Sequence, residues 1–132
     1  MVRISNETLA GWLDLTVPDA SRARSFYAQV LGVSHSAVAM FDARGDYADF
    51  CLHVGDPAVT PPLAGVCHAR GGNDKLPPVW IPYFRVEDLT LACTRAFERG
   101  ATIFDGPRGC GGTDRVAFVR DPDGAVFAVV GS

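Results

Sequence analysis

The chain has 132 residues, 48% of them hydrophobic and 20% charged, with a net charge of −3. That length suits one domain with a sizeable core, expected to span residues 1–132. No Lys/Arg run marks a phosphate-backbone footprint, so nucleic acid is not an expected partner.

The N-terminal MVRISNETLAGW lacks the apolar core of a secretory signal. No stretch approaches the ~18–20 apolar residues that span a bilayer, so a membrane is not an expected partner either. These readings point to a soluble, cytoplasmic protein. Its four cysteines, Cys51, Cys67, Cys93 and Cys110, form no CxxC pair and fit no zinc knuckle. In a reducing compartment they are expected to be free thiols used as small core hydrophobes.

LDLTV (13–17) alternates apolar and polar residues, as a half-buried strand does. Pro18-Asp19 opens a helix with Asp19 as N-cap. Ala20, Ala23, Phe26/Tyr27 and Val30/Leu31 recur at helical spacing as its apolar stripe, and Gly32 stops it. Strand-like runs follow near 33–41, 47–54 and 64–69. The pattern then restarts. VWIPYFRV (79–86) reads as a strand, with Pro82 arguing for an unpaired edge or a bulge. Asp88 caps a second helix with apolar positions Leu89, Ala92/Cys93 and Ala96/Phe97, ended by Gly100. Strands follow near 101–105, 114–120 and 125–130, and Asp121-Pro122-Asp123-Gly124 makes the last turn. RGGNDKLPP (70–78) reads as a surface connection, and GCGG (109–112) as a flexible loop able to act as a lid.

The restart is an internal repeat. Val17-x-Asp19 recurs as Val86-x-Asp88, and Leu31-Gly32 as Arg99-Gly100. Two β-α-β-β-β modules, about 9–70 and 78–131, account for nearly the whole chain.

WLDLTVPDASRARSFYAQVLGV (12–33), with Phe26-Tyr27 and Leu31-Gly32, resembles the first strand and helix of the vicinal oxygen chelate superfamily. This is the family of glyoxalases, bleomycin resistance proteins and extradiol dioxygenases. Val86-Glu87-Asp88, Gly100-Ala101 and RVAFVRDPDGAVFAVV (115–130) resemble its second half. The resemblance implies an α+β fold of two paired βαβββ modules, with a curled mixed sheet around a central cavity. It also implies a homodimer.

Enzymes of that family hold a divalent metal with four side chains. Their positions fall here on Trp12, Ile81, Ala128, and Cys67 or His68. Indole N–H only donates, and Ile and Ala offer no donor atom. The expectation is therefore no metal, no cofactor and no glyoxalase chemistry.

Strand alternation supplies candidates without the family. Trp12, Asp14 and Thr16 share one face of the first strand, and Tyr47, Asp49, Cys51 and His53 share one face of another. Asp14 and Asp49 could work as acid, base or ligand anchor, or form ion pairs with Arg85. Cys67 could be a thiolate and His68 a base, but neighbours in a strand face opposite ways. A local Cys67–His68 dyad is therefore not expected, and Cys67 should take the cavity side. Arg70 and Asn73 could hold an anionic ligand at the rim. Trp12 and Tyr83 could stack a planar ligand.

The expected function is binding of a small planar or cationic organic molecule in a metal-free cavity. The alternative is a lyase, isomerase or epimerase using Asp14, Asp49 and Cys67 or His68.

Overall fold

The computed structural model describes residues 12–132. The expected start of the first module near residue 9, and the N-terminal stretch before Trp12, lie outside them. The chain divides into two compact units, Leu13–Trp80 and Ile81–Ser132, with Trp12 grouped with the second.

In the first unit, β1 (Trp12–Val17) leads through α1 (Ala20–Leu31) to β2 (Ser34–Asp42), β3 (Gly45–His53) and β4 (Pro62–His68). The strand order is β2-β3-β4-β1, with β1 parallel to β4 and the other pairs antiparallel. Asp19 caps α1 by accepting the Arg22 N–H at 3.0 Å. Gly32 ends it in the left-handed region, φ 70°, where it donates to the Ala28 carbonyl at 2.9 Å. Ala20, Phe50, Leu52 and Val66 form the core between helix and sheet. Ala23 and Tyr27 pack on that core, and the Trp80 indole donates to the Tyr27 hydroxyl at 3.1 Å.

The expected apolar stripe of α1 is only half used. Phe26, Val30 and Leu31 are exposed. The sheet surface beneath α1 is filled by Phe50, Leu52 and Val66 through the Ala20–Ala23–Tyr27 line alone.

The second unit repeats the plan. β5 (Trp80–Arg85) leads through α2 (Leu89–Glu98) to β6 (Thr102–Gly111), β7 (Asp114–Arg120) and β8 (Val126–Gly131), in the order β5-β8-β7-β6. Asp88 caps α2 through the Leu91 N–H at 2.9 Å. Val86, Leu89, Ala92, Ala117, Val119 and Val129 form its core. Gly131 is required here, because a Cβ at that position would stand 2.5 Å from the Val86 carbonyl oxygen. The ladder of β5 to β8 begins at Tyr83, one residue past Pro82.

Three expectations are corrected in this unit. Phe97 is exposed, outside the buried stripe of α2. The strand expected at 101–105 runs on to Gly111 through three irregularities in its pairing with β7. Gly109–Gly112, expected as a flexible loop, forms the end of β6 and the start of the hairpin turn. A run of glycines reads as a loop, but Arg108, Gly109 and Gly111 pair with Val116, Arg115 and Asp114. The α+β class and the two βαβββ modules are as the sequence implies.

Candidate functional site

Two clusters carry the candidate residues, one in each unit. In the first unit the strand registers place Asp14, Gly65 and Cys51 in one row across β1, β4 and β3. Thr16 and Cys67 form the next row. The Cys67 thiol donates to both Asp14 oxygens at 3.7 and 3.8 Å. Burial pushes the Cys67 thiol far up, and the carboxylates of Asp14 and Asp49 push it further. It is therefore a thiol at neutral pH, without the thiolate that nucleophilic attack requires.

Asp49 is 5% exposed. Its Oδ1 accepts the His68 backbone N–H at 2.8 Å and faces His68 Nδ1 at 3.4 Å. Alternation places Cys67 and His68 on opposite faces, yet both reach the Asp49 carboxylate. The reason is that β4 ends at His68, and Arg70 N–H turns back to the His68 carbonyl at 2.8 Å. The imidazole lies at the strand end, where it meets the Tyr47 ring edge-on at 5.7 Å. Where Nδ1 carries a proton, the Asp49 carboxylate stands as its acceptor.

Arg70 is engaged within the protein. Its Nε and Nη2 each donate to Asp42 at 2.8 Å, and its guanidinium lies 4.0 Å from the Tyr47 ring centre. That hydrogen bonding holds the Asp42 carboxyl down at about 2. Asn73 belongs to the 3₁₀ turn Gly71–Asn73 that follows. His53, on the same face of β3 as Asp49, is buried and satisfied: Nδ1 donates to the Thr60 carbonyl and Ser36 contacts Nε2.

The second cluster is an apolar cleft of about 230 Å³ lined by Trp12, Tyr83, Arg85, Cys110 and Val130. Tyr83 and Arg85 alternate with Phe84 along β5, and Arg85 pairs in register with Val130. The Tyr83 ring packs edge-on against buried Phe118 at 5.7 Å. Arg85 donates to Asp114 on β7 at 2.7 Å. Cys110, expected in the core, is exposed on β6 beside this cleft.

Sequence reasoning placed Tyr47 on the face of Asp49 but gave it no role, and it missed Asp42, Cys110 and Val130 as neighbours of the candidates. Tyr47 carried the same alternation signal as Asp49. Cys110 was hidden inside GCGG. Asp42 carried no local signal, because its partner Arg70 lies on the far side of two strands.

A family-type metal centre does not fit these residues. Ile81 is 1% and Ala128 0% exposed, neither has a donor atom, and the Trp12 indole only donates. Among the described residues no group of three His, Cys, Asp or Glu is placed to hold a metal ion. No described helix is long and apolar enough to cross a membrane.

The model of the glyoxalase/bleomycin resistance protein/dioxygenase superfamily matches residues 9–129. The anthracycline biosynthesis protein DauV of Streptomyces sp. (strain C5) is 32% identical over 124 residues, covering 91% of this chain. The chain spans 40–43% of the length of the curated relatives it matches. Among solved structures, methylmalonyl-CoA epimerase from Mycobacterium tuberculosis superposes with a TM-score of 0.54 at 18% identity, covering 98% of this chain and 92% of that one. A Streptomyces coelicolor methylmalonyl-CoA epimerase variant in complex with 2-nitronate-propionyl-CoA gives 0.54 at 15% identity, covering 98% and 94%. At these identities the two structures speak for the fold.

Proposed function

This chain belongs to the glyoxalase/bleomycin resistance protein/dioxygenase superfamily, and we propose that it binds a small planar aromatic molecule in a metal-free cleft. The observation that carries the reading is the replacement of metal donors by an aromatic wall. Trp12 stands at a family ligand position and lines the cleft with Tyr83 and Val130, while Ile81 and Ala128 close the other two positions with hydrocarbon. Aromatic faces of this kind favour flat, polarisable ligands. Arg85 at the wall favours a neutral or anionic ligand over the cationic one that the acidic face of the first unit suggested. The name of DauV, a relative in anthracycline biosynthesis, supports a polycyclic ligand of the same flat kind.

The test has two parts. Elemental analysis of protein purified without chelator gives far less than one divalent ion per chain. Anthraquinone-2-sulfonate, a flat anionic probe, saturably quenches the tryptophan fluorescence, and Trp12→Ala abolishes the saturable part. A stoichiometric metal would overturn the metal-free reading. Unchanged probe affinity in a folded Trp12→Ala variant would overturn the cleft assignment. A homodimer in a cytoplasmic setting accompanies this reading.

A second reading rests on the Asp49–His68 contact. A buried carboxylate that fixes Nδ1–H leaves Nε2 as a proton acceptor, the arrangement a lyase, isomerase or epimerase needs. Asp14, with the neutral Cys67 thiol on its oxygens, would anchor the substrate beside it. If the bound ligand is returned chemically altered, and His68→Gln stops the change without loss of binding, this reading displaces the first.

A further inference from the structure

The second unit carries an opening of about 340 Å³ between α2 and the sheet. That volume lies within the roughly 300–1,000 Å³ of small-molecule sites. Leu89, fully buried, fills the N-terminal end of the helix–sheet core. One and two turns further on, α2 offers only Ala92 and Ala96, and the space beneath them stays open. Val86, Val119, Phe127 and Val129 form the opposite wall. This wall is aliphatic except for one ring. Alternation along β8 puts Phe127 and Val129 on the helix side and Val130, which lines the aromatic cleft, on the other. The two openings are separate and differ in chemistry.

The mouth of this groove is cationic. Arg95 and Arg99, both exposed and four residues apart at the end of α2, complete its lining. Arg95 donates to Glu98 at 2.9 Å. Arg99 has no hydrogen-bond or ion-pair partner among the described residues. Neither guanidinium is needed to cap the helix. The carbonyls of Arg95, Phe97 and Ala96 already accept the backbone N–H groups of Arg99, Gly100 and Ala101 at 3.1, 3.1 and 2.9 Å. Arg99 also sets a full positive charge against the roughly half negative charge of a helix C-terminus. The first unit supplies the contrast. Its own groove beside α1, about 270 Å³, has no charged side chain in its lining, and Leu31 holds the place that the repeat gives to Arg99.

We propose that the α2 groove binds a free straight-chain aliphatic carboxylate, its chain between Ala92, Ala96 and the sheet and its head at Arg99 and Arg95. The aliphatic wall suits a saturated chain, and each methylene it buries tightens binding by up to about fourfold. From Ala92 to Arg99 the helix rises roughly 10 Å, which sets the length of chain that lies in the groove with its head at the arginines. The cationic mouth sets the sign of the head group by charge complementarity. This site lies apart from the aromatic cleft and does not depend on the reading given for it.

Isothermal titration calorimetry of the full chain at low salt, with decanoate below its micellar range, tests the proposal. One saturable site per chain is expected. Decyltrimethylammonium, the same chain with the opposite charge, binds about tenfold more weakly. Ala96→Leu, which places a larger side chain in the groove, abolishes the decanoate site. Arg95→Gln combined with Arg99→Gln lowers decanoate to the affinity of the cationic probe. Leu63→Glu, in the uncharged groove of the first unit, leaves decanoate binding as it was. Absence of saturable binding overturns the proposal. So does a decanoate site that survives Ala96→Leu, one that Leu63→Glu removes, or equal affinity of the wild type for the two probes. Both arginines are exposed, so their double substitution keeps the test decisive if Ala96→Leu fails to fold.

Discussion

The two units are built from the same β-α-β-β-β plan, with the same Asp cap on each helix, yet they put different chemistry on their inner sheet faces. The first unit gathers Asp14, Asp49, Cys67 and His68 into hydrogen-bonded contact. The second gathers Tyr83, Phe104 and Phe118 into contacting rings beside an apolar cleft. A repeat fixes backbone and core, because both must bury one face of a sheet under one helix. It leaves the other face open to divergence, so one half can specialise in polar contacts and the other in aromatic ones. Function in such a fold is to be sought where the halves differ.

The sharpest way to break the comparison is through the aromatic half. Phe118 is fully buried, touched by Tyr83 and Phe104, with Arg108 5.3 Å from its ring centre. Phe118→Ala is expected to cost about 3–5 kcal/mol, the transfer of a ring plus the cavity it leaves. Urea denaturation measures it, and the cleft lined by Tyr83 should lose its probe affinity with it. A loss under about 1 kcal/mol would mean that the rings are not packed as described.

In the polar half the corresponding change is Asp49→Ala. It strands the His68 backbone N–H and removes one of the Cys67 thiol's carboxylate neighbours, at an expected cost of about 1–3 kcal/mol. Asp49→Asn keeps an acceptor for the N–H and should recover most of that. Equal destabilisation by the two variants would sink the hydrogen-bond account and leave only the lost charge.

Much of this was legible in the sequence, for physical reasons. Asp19 and Asp88 announced the helix starts because an N-cap needs a side-chain acceptor next to the first turn. Gly32 announced a stop because only glycine takes a positive φ without strain. Cys67 on the face of Asp14 followed from strand alternation. What failed were inferences that needed a third dimension. His68 met Asp49 despite alternation because the strand ends there. Val30 and Leu31 had the right spacing for burial but stand exposed at the end of α1, which meets the core through Ala20, Ala23 and Tyr27. Arg85 bonds Asp114 on β7, a partner that no local pattern in the sequence announced.

The caps give a smaller, symmetrical effect. Asp19 accepts Arg22 N–H at 3.0 Å and Asp88 accepts Leu91 N–H at 2.9 Å. Asp19→Ala and Asp88→Ala should each cost about 1 kcal/mol. A much larger loss for one would show that its aspartate holds more than the helix end.

The finest distinction between the halves lies in their two arginine–aspartate pairs. Asp42 accepts two N–H groups of Arg70 and the Arg44 backbone N–H, which hold its carboxyl down at about 2. Asp114 takes the Arg85 guanidinium at 2.7 Å and is also lowered. A carboxylate whose folded value lies below its ordinary 3.8 binds protons more readily when unfolded. Its contribution is therefore whole above the ordinary value and drains away as pH falls from there through the folded value. The stability gap between wild type and Asp42→Asn should thus be constant near neutrality and close between about pH 4 and pH 2. The gap for Asp114→Asn should also shrink as pH falls below the ordinary carboxylate value, and added salt should shrink it further, because that pair is the more exposed of the two. Urea midpoints at successive pH values decide the matter: a gap that keeps its full size at pH 2 would mean that Asp42 stabilises the fold by packing alone and that Arg70 is not its electrostatic partner.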